Sequence, residues 1–107
     1  MRTGAFVRTI AIRGATVAAL ATAPAVLAGD PPPQYAASCG ACHAVGAAGA
    51  PKTGDVEAWA ARMNEKGMEG LISSVRNGIN AMPPGGLCNS CSDEEHEALI
   101  NYMAAAK

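Results

Sequence analysis

The residues with the clearest chemical pattern are two cysteines and a histidine near the middle of the chain. Cys39 and Cys42 are three positions apart, and His43 directly follows the second cysteine. In a helical turn such cysteines point to the same side, so both thiols can reach the two vinyl groups at one porphyrin edge and form thioethers. The imidazole can then bind the iron, and this spacing is the attachment signal for haem c. The sequence therefore predicts one covalently bound haem c.

The cysteine spacing is also compatible with three other kinds of site. A thioredoxin-type redox pair uses the same spacing, but it requires a βαβ context that the chain lacks. A zinc site could combine Cys39 and Cys42 with Cys88 and Cys91, because both pairs have the spacing of zinc ligands. Plain structural disulfides are the third alternative in an exported chain with four cysteines. The histidine after Cys42 favours haem over all three.

The sequence indicates the second axial ligand of such a haem less directly. A methionine thioether or a second imidazole can serve. Met82 is favoured because it lies in a loop, residues 80–86, where Pro83 and Pro84 stiffen the backbone. The other methionines fit core packing or a turn, and the histidine beside three glutamates is expected to be solvated. These other candidates are Met63, Met68, Met103 and His96.

The first 28 residues have the composition of a secretory signal peptide. Three arginines precede a short apolar segment at residues 14–23, and Val26 and Ala28 occupy the positions that a signal peptidase recognises. A retained anchor is less favoured, because spanning a bilayer takes about 20 apolar residues. We therefore predict a cleaved signal peptide at residues 1–28 and a periplasmic domain at residues 29–107, without stable membrane insertion.

The predicted mature domain is small and acidic. It has five Lys and Arg residues against nine Asp and Glu residues, a formal net charge of −4. A basic surface for nucleic acid is absent, so nucleic-acid binding is excluded. Much of the 50% hydrophobic content is alanine, and a domain of this length is marginal without a cofactor, metal or disulfide. The composition therefore favours a core built around a large, flat group.

The elements that position these residues are predicted to be helices and loops. Asp55 is a plausible N-cap, and Ser92 with Glu95 forms a capping-box pattern. A short helix is expected at residues 34–43, followed by a loop at residues 45–54. Two helices follow, one from Asp55 to Gly67 and one ending at Gly78, and then a loop at residues 80–86. The last helix runs toward Ala106, and its buried face is expected to consist of Leu99, Ile100, Tyr102 and Met103. The fold class is therefore all-α, with three to five short helices.

Several segments together resemble the class I cytochromes c and, within them, the cytochrome c5 group. The resemblance extends from about residue 35 to residue 103. It is carried by the haem motif at residues 39–43, GAPKTGD at residues 49–55, Trp59 with Arg62, Met82-Pro83-Pro84, and Cys88 and Cys91 before Ser92-Asp93.

This resemblance implies roles for residues around the haem. Met82 would be the sixth ligand, and the Pro51 carbonyl would accept the ring N–H of His43, which fixes the orientation of the imidazole. Trp59, together with Arg62, would lie near a haem propionate.

The resemblance also implies contacts that hold the fold together. Cys88 and Cys91 would form a disulfide that clamps the Met82 loop to the last helix, with a redox-active dithiol as the alternative. Tyr35 and Tyr102 would join the first and last helices. A run of prolines at residues 31–33 stands where relatives have a longer first helix, so this junction is expected to differ.

The expected function is electron transfer by a soluble periplasmic carrier that acts as a monomer and is not an enzyme. Two filled axial positions leave no open iron site for a substrate. The expected partners are redox proteins, namely an oxidase, a reductase or another cytochrome. The alternatives are a haem-based peroxidase or gas sensor with a labile Met82 ligand, and a zinc or thiol module.

Overall fold

The computed structural model describes residue 11, residues 14–21 and residues 29–107 of the chain. Within this part the elements are helix α1 (Gly40–His43), a 3₁₀ turn (Ala47–Gly49), helix α2 (Val56–Asn77) and helix α3 (Asp93–Ala104). The described residues form no strand, and a single isolated bridge pairs Ile79 with Met82. The predicted all-α fold is confirmed.

The predicted signal peptide falls largely outside the described residues. The predicted cleavage point after Ala28 and the three arginines all lie outside the described residues. Residues 14–21 of its apolar segment carry no regular secondary structure. Over the described part of the chain, no helix combines the length and the apolar character that crossing a membrane requires.

Helix α1 is shorter than predicted, because the backbone before it forms turns. The Tyr35 carbonyl accepts the N–H groups of both Ser38 and Gly40, at 3.2 and 2.8 Å, and these bonds do not follow the regular helical ladder. The Ser38 hydroxyl donates to the Gln34 carbonyl at 2.6 Å, a side-chain bond that competes with helix formation. The predicted helix at residues 34–43 is therefore reduced to its last turn, which still carries the second cysteine and the histidine.

Helix α2 contains both of the helices predicted between Asp55 and Gly78. The Asp55 carboxylate accepts the Ala58 N–H at 3.1 Å, as expected of an N-cap. Gly67 interrupts the helix with φ 66° and ψ 174°, and Gly78 ends it with φ 78°. Met68, expected in a turn, lies instead in the second half of the helix.

Helix α3 begins with the predicted capping box. The Ser92 hydroxyl accepts the Glu95 N–H at 3.2 Å, and the Glu95 carboxylate accepts the Ser92 N–H at 2.7 Å. The buried face includes Leu99, Ile100 and Met103, as expected, but also His96, of which only 4% is exposed. The expectation that His96 is solvated was wrong. It precedes Leu99 by three positions, so it shares the face that α3 turns to the core.

The core forms where α3 packs against α2. It consists of Trp59, Leu71, Ile72, Val75, Ile100 and Met103. The segment before α1 joins this core through an edge-to-face contact between Tyr35 and Tyr102, with ring centroids 4.9 Å apart. Gln34 also donates to Glu95 at 2.8 Å. The segment after the prolines therefore contacts the last helix through aromatic and polar side chains, without a long first helix.

Candidate functional site

His43 is buried and held at both its ring and its backbone. Its Nδ1 atom lies 2.7 Å from the Pro51 carbonyl oxygen, and its own carbonyl accepts the Thr53 N–H at 2.7 Å. A carbonyl oxygen can only accept, so Nδ1 carries the proton in this bond and Nε2 keeps its lone pair. The loop after α1 therefore orients the imidazole and leaves the Nε2 lone pair free to bind a metal ion.

The two cysteines of the motif are free thiols in different surroundings. Cys39 is half-buried and Cys42 is exposed. Burial raises the pKa of the Cys39 thiol, and the Ser38 hydroxyl, 3.7 Å from its sulfur, lowers it in part. Burial therefore favours the protonated thiol of Cys39 over the thiolate.

All seven residues predicted for cofactor binding line one cleft of about 560 Å³. They are Cys39, Cys42, His43, Pro51, Trp59, Arg62 and Met82. Apolar side chains of α2 and α3 form much of the remaining wall, and the volume falls within the usual range for cofactor sites. Two thiols, an imidazole nitrogen and a thioether sulfur in an apolar cleft are the groups that a covalently bound haem requires, so the residues fit that cofactor.

The Met82 loop is positioned by backbone contacts. Ile79 and Met82 exchange two backbone hydrogen bonds at 2.9 and 3.1 Å, and the Gly85 N–H donates to the Val75 carbonyl of α2 at 2.6 Å. Gly78 is required at the start of this loop, since a Cβ there would lie 2.9 Å from both the Met82 oxygen and the Pro84 nitrogen. The loop therefore packs closely against the end of α2, and the Met82 side chain within it is half-buried.

A disulfide lies between this loop and helix α3. Cys88 and Cys91 are bonded to each other, with Cα atoms 5.4 Å apart. Leu87, directly before the disulfide, has a φ of 64°, a left-handed conformation that costs a non-glycine residue about 1–2 kcal/mol. The pairing argues against a four-cysteine zinc site. Within the described residues, no group of three or more His, Cys, Asp or Glu is placed to hold a metal ion.

Trp59 and Arg62 line the cleft but use their polar groups within the protein. The indole N–H of Trp59 donates to the Lys52 carbonyl at 3.0 Å, and Arg62 donates to the Ala58 carbonyl of its own helix at 2.9 Å. The Trp59 ring lies 5.4 Å from that of His43, centroid to centroid. Trp59 therefore supports the imidazole, and a role for either residue at a propionate stays a prediction.

Sequence reasoning missed two features of the cleft. His96 lines it, and the spacing of His96 to Leu99 and Ile100 was the signal that could have placed it there. Lys66 and Ser74 also line it, with the ammonium donating to the hydroxyl at 3.2 Å. No local pattern indicates this pair, because the break at Gly67 brings the two halves of α2 together.

Comparison with known proteins yields one family and several similar sequences. A family model described as cytochrome c oxidase, cbb3-type, subunit III, matches residues 28–103, which is more than half of the chain. Cytochrome c5 of Azotobacter vinelandii is 48% identical over 67 residues, covering 62% of this chain and 81% of the relative. Cytochrome c5 of Ectopseudomonas mendocina is 46% identical over 67 residues, covering 62% of this chain and 77% of the relative.

A further relative and a solved structure agree with this. Cytochrome c-555 of Chlorobaculum tepidum is 38% identical over 73 residues, covering 64% of this chain and 67% of the relative. A chain in the crystal structure of an electron transfer complex of nitrite reductase with cytochrome c superposes with a TM-score of 0.59 at 35% identity. The match covers 70% of this chain and 95% of that chain.

Proposed function

Because the chain belongs to the class I cytochromes c and is similar to their c5 group, we propose that it is a periplasmic electron carrier. Its single haem c is attached through Cys39 and Cys42 and ligated by His43 and Met82. The observation that carries this proposal is the cleft in which these four side chains meet. The haem, when bound, supplies an iron that gains and loses one electron.

The proximal residues hold the cofactor and orient its ligand. Cys39 and Cys42 would hold the haem through two thioether bonds directly before His43. The bond from Nδ1 to the Pro51 carbonyl supports Nε2 as the iron-binding atom, and it fixes the plane of the ring. Trp59 packs against the same ring. These contacts limit movement of the imidazole.

Met82 would supply the second protein ligand from its braced loop. A thioether ligand raises the reduction potential relative to a second imidazole. If His43 and Met82 both bind the iron, they would leave no iron site for a substrate, which supports a carrier rather than an enzyme.

The partners are redox proteins that this chain meets as a monomer. The solved cytochrome c that it resembles occurs in an electron transfer complex with nitrite reductase, and we propose a reductase, an oxidase or another cytochrome as the class of partner. The N-terminal sequence supports export to the periplasm with cleavage after Ala28.

The mass and absorption spectrum of the exported protein test this proposal. Expressed in a host with haem-attachment machinery, the protein should begin at residue 29 and carry one haem that survives acid–organic extraction. The ferric form should show the iron–thioether absorption band. A Cys39→Ser/Cys42→Ser variant is the matched control and should release its haem on extraction. A haem-free mass for the unaltered chain would contradict the proposal.

A further inference from the structure

His96 is a buried polar residue with only half of its hydrogen-bonding capacity used. The side chain is 4% exposed, and its Nε2 atom lies 3.3 Å from the Cys88 carbonyl oxygen. Nδ1 is buried and has no hydrogen-bond partner among the protein groups that the structure describes. Since the carbonyl accepts, Nε2 carries the proton, and Nδ1 is left as an unsatisfied acceptor.

This arrangement is costly if stability alone is considered. A leucine in the same place would bury no unpaired nitrogen, and burying a polar atom without a partner is unfavourable. Each such atom in a folded protein calls for an explanation. A leucine would lose the hydrogen bond from the His96 ring to the Cys88 carbonyl. The role of His96 is therefore expected to lie in the position of Cys88.

Cys88 holds one side of the strained residue Leu87. The Leu87 side chain is 55% exposed, so packing contributes little to its left-handed conformation. Such a conformation persists only when the surrounding structure over-determines it. Before Leu87, the Gly85 N–H donates to the Val75 carbonyl, and the Gly85 carbonyl accepts the Cys88 N–H at 2.9 Å across the turn. After Leu87, the Cys88 carbonyl accepts the Cys91 N–H at 3.1 Å and the His96 ring N–H.

The strained residue is connected to Met82 through Gly86. The Gly86 N–H donates to the Pro83 carbonyl at 3.0 Å, and a Cβ on Gly86 would lie 3.9 Å from the Met82 sulfur. A relaxation of Leu87 would therefore displace the backbone that faces the sulfur atom.

We propose that His96 is a positioning residue for Met82: its hydrogen bond to Cys88 keeps Leu87 in the left-handed conformation and thereby holds the Met82 thioether in place. This inference rests on the proposed ligation by Met82 and adds a residue on α3 to the group that maintains it.

Displacement of the methionine ligand by added imidazole tests this role. The rate is measured in the ferric protein as loss of the iron–thioether band, for His96→Leu, His96→Gln and the exposed neighbour variant Glu97→Gln. One lost hydrogen bond corresponds to a two- to tenfold change, so His96→Leu should exchange about two to ten times faster. His96→Gln retains an N–H donor and should approach the wild-type rate, and Glu97→Gln should equal it.

The denaturant midpoint separates positioning from a structural role. His96→Leu should unfold at about the same denaturant concentration as the wild type, because loss of the hydrogen bond to Cys88 is offset by removal of a buried ring nitrogen that no protein group satisfies. A lower midpoint, or a variant that fails to fold, would overturn the proposal by showing that His96 acts through stability. An unchanged exchange rate in folded His96→Leu would overturn it as well.

A double-mutant cycle tests the path through Leu87. Leu87→Gly adopts the left-handed conformation without strain, so His96→Leu should no longer accelerate exchange in that background. Equal acceleration in both backgrounds would contradict the path. If instead the wild-type band survives Met82→Ala, the proposed ligation is wrong, and that result is distinguishable from failure of the role of His96.

Discussion

The rings of Trp59 and His43 lie with their centroids 5.4 Å apart and their planes tilted by 36°. The indole N–H is directed away from this contact and donates to the Lys52 carbonyl. Trp59 thus joins the loop after α1 to helix α2 and packs against the imidazole at the same time. This contact supports a role of Trp59 in orienting His43, and its role near a propionate stays a prediction.

Replacement of Trp59 should therefore affect stability more than reduction potential. Trp59→Phe retains the ring contact and loses one hydrogen bond, so we expect a loss of about 0.5–1.5 kcal/mol in the free energy of unfolding. Trp59→Ala should lose about 3–5 kcal/mol. Chemical denaturation and redox titration of both variants measure these effects. A large shift in potential for Trp59→Phe with unchanged stability would instead assign the indole N–H to a propionate.

Removal of the Met82 thioether should open the iron to added ligands. Met82→Ala should lose the iron–thioether band, bind imidazole readily and have a lower reduction potential than the wild type. Met63→Ala, the control in helix α2, should keep the band. Met103→Ala should also keep it, although loss of this core side chain should cost about 2–5 kcal/mol of stability. Loss of the band in either control variant, with the band retained in Met82→Ala, would refute the assignment.

The disulfide is expected to be structural. Its sequence separation is 3, and so small a ring contributes at most about 2 kcal/mol through loop closure. The Cys88→Ser/Cys91→Ser variant should therefore bind haem, unfold at a slightly lower denaturant concentration and exchange electrons at a near-normal rate. Stopped-flow electron exchange measures the last of these. A severe loss of electron transfer in the folded, haem-loaded variant would favour the redox-active dithiol.

Electron exchange should depend on salt if the acidic start of α3 takes part in docking. Asp93 is paired with Arg76, and Glu95 is occupied by the capping box and Gln34, whereas Glu94 and Glu97 are exposed. With a partner that has a positive docking surface, the rate should fall as ionic strength rises, since the screening length is about 8 Å at 0.15 M.

Glu94→Gln should weaken this salt dependence. The matched control is Glu57→Gln, an exposed glutamate in the first turn of α2, which should leave the dependence unchanged. Equal behaviour of the two variants would mean that the acidic residues of α3 only stabilise the helix N-terminus.

Much of this protein could be read from residues that are close together in the sequence. The haem motif, the N-cap Asp55 and the capping box of Ser92 and Glu95 are each defined within a few positions, and so are the glycines that interrupt or end α2. Such signals depend on local backbone geometry, which the neighbouring residues determine directly. The ends of α2, the start of α3 and the residues of the haem motif were therefore predictable.

Only the tertiary structure decided which polar groups are buried and what they contact. His96, surrounded by glutamates in the sequence, is buried because α3 turns that face toward the core. The indole N–H of Trp59 finds a carbonyl seven positions earlier in the chain, and Leu87 adopts a left-handed conformation between anchors on α2 and α3. Burial and strain of this kind arise from packing between distant segments, so the side-chain pattern of one segment does not determine them.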